Sequence, residues 1–202
     1  MNLANKLTLF RIFLVIIMVV VAYVPINGTI LNIGIDMWIL NIIFIIASIT
    51  DKLDGNIARK RNQITEFGKF LDPIADKMLV LSAMLILVER KLLPAWIPII
   101  ILIREFAVSG YRLIAVQKEN NVIAASIWGK TKTVTQIIAI IFAFININNT
   151  NIFMNFVNGE ITGIALVINC ITSIMFILAT IATVISGIDY LKNGKDLLLK
   201  DF

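Results

Sequence analysis

The sequence predicts an all-α, polytopic membrane protein with six transmembrane helices. Three observations lead there. Hydrophobic residues make up 59% of the chain, against roughly 45–50% in an ordinary soluble domain, and the mean hydropathy is +0.92. The apolar residues fall into six runs separated by short polar stretches. The lysines and arginines gather at alternate ends of those runs, as the positive-inside rule requires. A soluble chain of 202 residues could not bury so much apolar surface, so lipid must cover part of it.

A span needs about 20 apolar residues at a rise of about 1.5 Å each. The six runs are Phe10–Ile26, Met37–Ala58, Phe70–Val88, Ala95–Val116, Trp128–Ile145 and Ile161–Tyr190. The connections between them contain Gly, Pro, Asn or charged residues, and none is long enough to separate a second domain. One domain over residues 1–202 is therefore expected. Residues 1–9 are polar on one side and carry leucines on the other, which suggests a short interfacial helix. Residues 191–202 alternate lysine with leucine and read as a tail on the cytoplasmic side.

With the N-terminus inside, the inner side receives Lys6, Arg11, Arg59, Lys60, Arg61, Lys69, Lys118, Lys130, Lys132, Lys192, Lys195 and Lys200. The outer side receives Arg90 and Lys91. Both termini are therefore expected in the cytoplasm. No small-residue cleavage site follows the first apolar run, so that run is read as a retained helix. The net charge of +5 belongs to residues flanking spans. It points to anionic headgroups of the lipid bilayer, not to nucleic acid. Histidine is absent and Cys170 is the single cysteine. That excludes a Cys/His zinc site and an intrachain disulfide.

The acidic residues carry the chemistry. Asp51 and Asp54 lie three apart at the inner end of the second span, and Asp72 and Asp76 lie four apart at the start of the third. Each pair projects from one face of its helix. The polar link between the spans is short, so the helices are expected to be antiparallel neighbours with all four carboxylates converging. Converging carboxylates repel unless cations sit among them. All-oxygen ligation favours a hard divalent cation, Mg²⁺ or Mn²⁺. Two ions suit four carboxylates, and a two-metal site suits phosphoryl transfer. Gly55, Ala58 and Gly68 lie in register with the acids and leave room for a ligand beside the backbone.

The stretch Asp51-x-x-Asp54-Gly55-x-x-Ala58-Arg59, followed by Gly68-x-x-x-Asp72-x-x-x-Asp76, resembles the signature of the CDP-alcohol phosphotransferases at every fixed position. The resemblance implies two metal ions on the four aspartates around the pyrophosphate of a CDP-lipid. It implies that Asp76 is also the base that takes the proton of the attacking alcohol. It places Gly55, Arg59 and Thr65 on CDP-diacylglycerol. The opening segment, with Asn5 and Thr8, resembles the family's as well and puts those two residues near the nucleotide. The family further implies a homodimer and a cytoplasm-facing active site in the bacterial cytoplasmic membrane.

The fourth and fifth spans bear on the acceptor. Arg104, Arg112, Lys130 and Lys132 are expected to form a basic pocket, which suits an acceptor with its own phosphate. Arg104 to Arg112 and Ser126 to Thr133 resemble the branch that makes phosphatidylglycerophosphate, which implies sn-glycerol 3-phosphate as acceptor. Two alternatives were weighed. One is another branch, making cardiolipin, phosphatidylinositol phosphate or phosphatidylserine. The other is a cation transporter, which the lack of an acidic trail toward the outer side disfavours.

Overall fold

The computed structural model describes residues 3–60, 66–119, 127–147, 151–153 and 163–193. Within the helices, the side chains of 3–4, 52–60, 66–67, 69–70, 112–119, 127, 191 and 193 lie outside that description. Six helices occupy the described residues: α1 Leu3–Tyr23, α2 Ile35–Lys60, α3 Glu66–Glu89, α4 Trp96–Glu119, α5 Ile127–Phe144 and α6 Ile164–Asn193. Each overlaps one of the predicted runs. Two of them, α1 from Asn5 and α6 to Tyr190, are long and apolar enough by themselves to cross a membrane. The fold is thus mainly helical, consistent with an all-α membrane protein. Large apolar side chains such as Phe13, Val20, Ile103, Phe106 and Ile181 are exposed along the helices, the pattern expected of surfaces that face lipid.

Two local departures from expectation have physical reasons. Residues 3–9 do not form a separate interfacial helix; they continue into α1 without a break. Asn5, Thr8 and Arg11 recur every three residues and are buried, so the polar stripe turns inward against other helices. The stretch Asn27–Gly34, expected as a plain connection, holds a small hairpin pairing Thr29–Ile30 with Ile33–Gly34. Its turn residues Leu31 and Asn32 both have positive φ, 56° and 62°, the geometry of a two-residue primed turn.

The helices pack around one apolar core that includes Met18, Leu40, Phe44, Met84, Leu87, Ile97 and Phe144. Phe44 of α2 and Phe144 of α5 meet with ring centroids 6.2 Å apart. The closest associations are α5 with α6, and α1 with α2 and α3. α2 and α3 touch each other only sparingly. The expected pairing of the second and third helices is therefore mediated by α1, which packs on both.

The opposite ends are stitched by polar contacts. Arg90 meets Asp36 at 2.7 Å and donates to the Ala22 carbonyl at 3.0 Å, while the Tyr23 hydroxyl donates to Glu89 at 2.7 Å. α3 ends in a left-handed cap. Lys91 has φ 59°, its N–H donates to Val88, and that of Leu92 donates to Leu87, the paired bonds of a Schellman motif.

Candidate active site

The motif carboxylates lie where α1 crosses α2 and α3. Arg11 of α1 is fully buried and its guanidinium meets the Asp51 carboxylate of α2 at 2.7 Å. Three residues earlier, the Thr8 hydroxyl donates to Asp72 of α3 at 2.6 Å. One face of α1 thus holds an acid from each half of the motif. Asn5, one turn further back, is buried on the same stripe. Asp51 lies within electrostatic range of Asp72 and Asp76. Gly68, one turn before Asp72, is buried.

Asp54, Gly55, Ala58 and Arg59 lie on α2, but their side chains fall outside the described residues, as does Thr65 altogether. Among the described residues no three Asp, Glu, Cys or His side chains are gathered tightly enough to hold a metal ion. The donor set still has the right chemistry. It is all carboxylate oxygen, drawn from two helices, with Asp51 and Asp72 each committing one oxygen to α1. Such a set fits a hard divalent cation and no soft one.

The other side of Asp76 opens on a narrow cleft between α3, α4 and α5. Asp76, Lys77, Glu105, Lys132, Thr133 and Gln136 line it. Lys132 is buried and its ammonium is bonded to Glu105. Glu105 also receives Arg104 at 2.9 Å. Lys77 donates to the Ser109 hydroxyl, tying α3 to α4.

Of the four expected acceptor residues, Arg104 and Lys132 meet on one oxygen of Glu105 and then point different ways. Lys132 faces Asp76. Lys130 is exposed. Arg112 lies on α4 with its side chain outside the described residues. Arg104 does not line the cleft; it turns toward α6, bonding Ser186 and standing 5.7 Å from the Tyr190 ring centroid. Gly187 lies beside the Arg104 stem, where a Cβ would stand 3.4 Å from it, about van der Waals contact. Arg104 thereby lines a separate, largely apolar groove of about 270 Å³ between α4 and α6, with Ile103, Val108, Tyr111 and Val184.

Sequence reasoning treated Arg11 as a flanking charge and gave Lys77 no role in the site. The available signal for Arg11 was its spacing from Asn5 and Thr8. For Lys77 it was adjacency to Asp76.

With this geometry in place, comparison with known proteins settles the lineage. The profile of the family described as CDP-alcohol phosphatidyltransferase matches residues 1–185.

The chain belongs to that family.

It is similar to the CDP-diacylglycerol–glycerol-3-phosphate 3-phosphatidyltransferase of Bacillus subtilis (strain 168), with 48% identity over 144 residues, covering 69% of this chain and 74% of the relative. The protein of the same name from Haemophilus influenzae is 38% identical over 202 residues, covering 98% of this chain and 96% of the relative. A probable phosphatidylglycerophosphate synthase of Mycobacterium tuberculosis (strain ATCC 25618 / H37Rv) is 36% identical over 193 residues, covering 96% and 81%. As a member of the CDP-alcohol phosphatidyltransferases the chain is an enzyme of phosphatidyl transfer. That family generally works with divalent metal ions.

Proposed function

We propose that this CDP-alcohol phosphatidyltransferase moves the phosphatidyl group of CDP-diacylglycerol to sn-glycerol 3-phosphate, giving phosphatidylglycerophosphate and CMP. The observation that carries this reading is the position of Asp76. Its carboxylate is coupled to Asp51 on one side and borders a lysine-bearing cleft on the other. A base beside a cationic cleft suits an alcohol that carries a phosphate. The names of the relatives agree with it.

In this mechanism the acceptor's C1 oxygen attacks the lipid-linked phosphorus. The bond from that phosphorus to the CMP oxygen breaks, and CMP leaves. Asp76 accepts the proton of the attacking hydroxyl. Asp51, Asp54, Asp72 and Asp76 would hold two divalent ions, Mg²⁺ or Mn²⁺. Bound there, they supply positive charge for the pyrophosphate and acidify the acceptor hydroxyl. Arg11 and Thr8 fix Asp51 and Asp72 so that the acids keep their spacing. Arg59, with Gly55, Ala58, Gly68, Thr65, Asn5 and Thr8, would border the CDP-lipid; a guanidinium can grip phosphate through two parallel donors. Six spans with both termini in the cytoplasm would put this chemistry at the inner face of the bacterial membrane, in each subunit of a homodimer.

CMP release by the purified protein in detergent tests the reading. With CDP-diacylglycerol and Mg²⁺, CMP should appear with glycerol 3-phosphate and not with glycerol, serine or inositol phosphate. Asp76→Asn should lower the rate about 10²–10⁴-fold, the usual worth of a positioned base. CMP released only with another acceptor would keep the chemistry and reject the substrate. Folded protein that releases CMP with none of them, yet carries metal ions across proteoliposomes, would reject the enzyme reading.

A further inference from the structure

The two lysines of the cleft beside Asp76 are not equivalent. Lys132 comes from α5, is buried, and has its ammonium bonded to Glu105. Its charge is matched inside the protein. Lys77 follows Asp76 directly on α3 and is half-buried. Its ammonium donates to a neutral group, the Ser109 hydroxyl of α4, and among the described residues it makes no ion pair. Glu105 carries two cations, Lys132 and Arg104, so these three together offset Asp76. Lys77 then leaves the cleft with one positive charge, which attracts a phosphate dianion.

Size points the same way. The cleft has a volume of about 20 Å³, enough for a group of about the size of a water molecule. One oxygen-bearing end of a small acceptor can enter, not a whole acceptor. Neighbouring residues on a helix diverge by about 100°. Asp76 and Lys77 can therefore address opposite ends of one three-carbon molecule, hydroxyl at one and phosphate at the other.

We propose that Lys77 is a specificity-determining residue that receives the acceptor's phosphate, aimed by Ser109, while Lys132 serves to neutralise Glu105. This rests on the reading that the acceptor is a phosphorylated alcohol. Among the described residues that line the cleft, Lys77 is thus the cation not paired with a carboxylate.

Steady-state kinetics on the purified full chain test it, with glycerol 3-phosphate and CDP-diacylglycerol varied in turn. Lys77→Gln should raise KM for glycerol 3-phosphate about ten- to hundredfold, the span of one charge-assisted hydrogen bond. KM for CDP-diacylglycerol should stay within about twofold of wild type. Lys77→Arg, which keeps the charge, should recover most of the loss. Ser109→Ala should raise the same KM a fewfold. Inorganic phosphate should compete with glycerol 3-phosphate in the wild type and compete more weakly in Lys77→Gln.

An unchanged KM for glycerol 3-phosphate in Lys77→Gln overturns the proposal and leaves the substrate reading intact. So does an equal rise in both KM values. If Lys77→Gln does not fold, Ser109→Ala decides through the phosphate competition, and wild-type inhibition there rejects the role. A wild type that uses only neutral alcohols rejects the substrate reading itself, and the role of Lys77 with it.

Discussion

Arg11 shows how much one side chain can organise. A buried guanidinium needs a partner, and Asp51 supplies it at 2.7 Å. Breaking a buried pair from one side leaves an uncompensated charge and costs about 3–5 kcal/mol. Asp51 still meets solvent, with 37% of its side chain exposed, so the lower end of that range applies. Arg11→Met should therefore lower stability by about 3 kcal/mol, read as a drop in thermal midpoint in detergent. A midpoint equal to wild type would mean that Asp51 finds another cation as readily. At this scale the sequence was legible where spacing alone decides. The helical register of Asp51, Asp72 and Asp76 could be read from spacing, and Asp51 lies within electrostatic range of the other two. Charges whose meaning depends on tertiary direction were not legible. Arg104 was expected beside the acids, yet it crosses to Ser186 of α6. Arg104 and Glu105 are chain neighbours but diverge by about 100° on the helix, and nothing in a single sequence says which direction faces the cleft.

At the scale of elements, the helices were the easy part, because each apolar run had the length and the polar punctuation of a span. Their ends were harder. α1 begins at Leu3, because its polar stripe is buried against α2 and α3 instead of resting at an interface. The α3 run was read to Val88, one residue short of its end, but its left-handed cap was not foreseen: the residue is Lys91, where glycine is the usual occupant and the usual signal. A non-glycine residue in that conformation costs about 1–2 kcal/mol. Glycine removes the cost but adds about 0.4–1 kcal/mol of unfolded-state freedom. Lys91→Gly should therefore stabilise the protein by about 0.5–1 kcal/mol, measured as a small upward shift in thermal midpoint. A downward shift would show that the Lys91 side chain contributes more than its backbone strain costs. The hairpin turn at Leu31 and Asn32 escaped notice on the same ground, since leucine is a poor predictor of positive φ.

Across the whole molecule, the sequence implied more spans than composition by itself demonstrates. α1 and α6 pass on length and apolarity; α2 to α5 carry the charges that build the site. Functional charge and a simple hydropathy test work against each other, which is why the active helices are the ones that resemble spans least. The six-span arrangement makes a direct prediction about sidedness. In a Cys170→Ser background, Lys91→Cys should react with a membrane-impermeant thiol reagent in intact cells. Lys192→Cys should react only after the membrane is opened. Labelling of both from the same side would reverse one of the intervening helices and remove the acids from the cytoplasmic face.

The latch between α1 and the motif helices also bears on biogenesis. When α1 enters the bilayer ahead of the rest, Arg11 has no carboxylate to meet. An arginine at the centre of a span adds about 2.5–3.5 kcal/mol to the free energy of insertion, and Arg11, nearer the end, adds some part of that. The debt is settled only when α2 brings Asp51, and the Thr8 bond closes later still, with the arrival of α3. Membrane entry of the first helix is therefore provisional. A nascent chain halted before α2 would hold a helix inclined to slip back out, so quality control could recognise unfinished molecules by a charge still waiting for its partner.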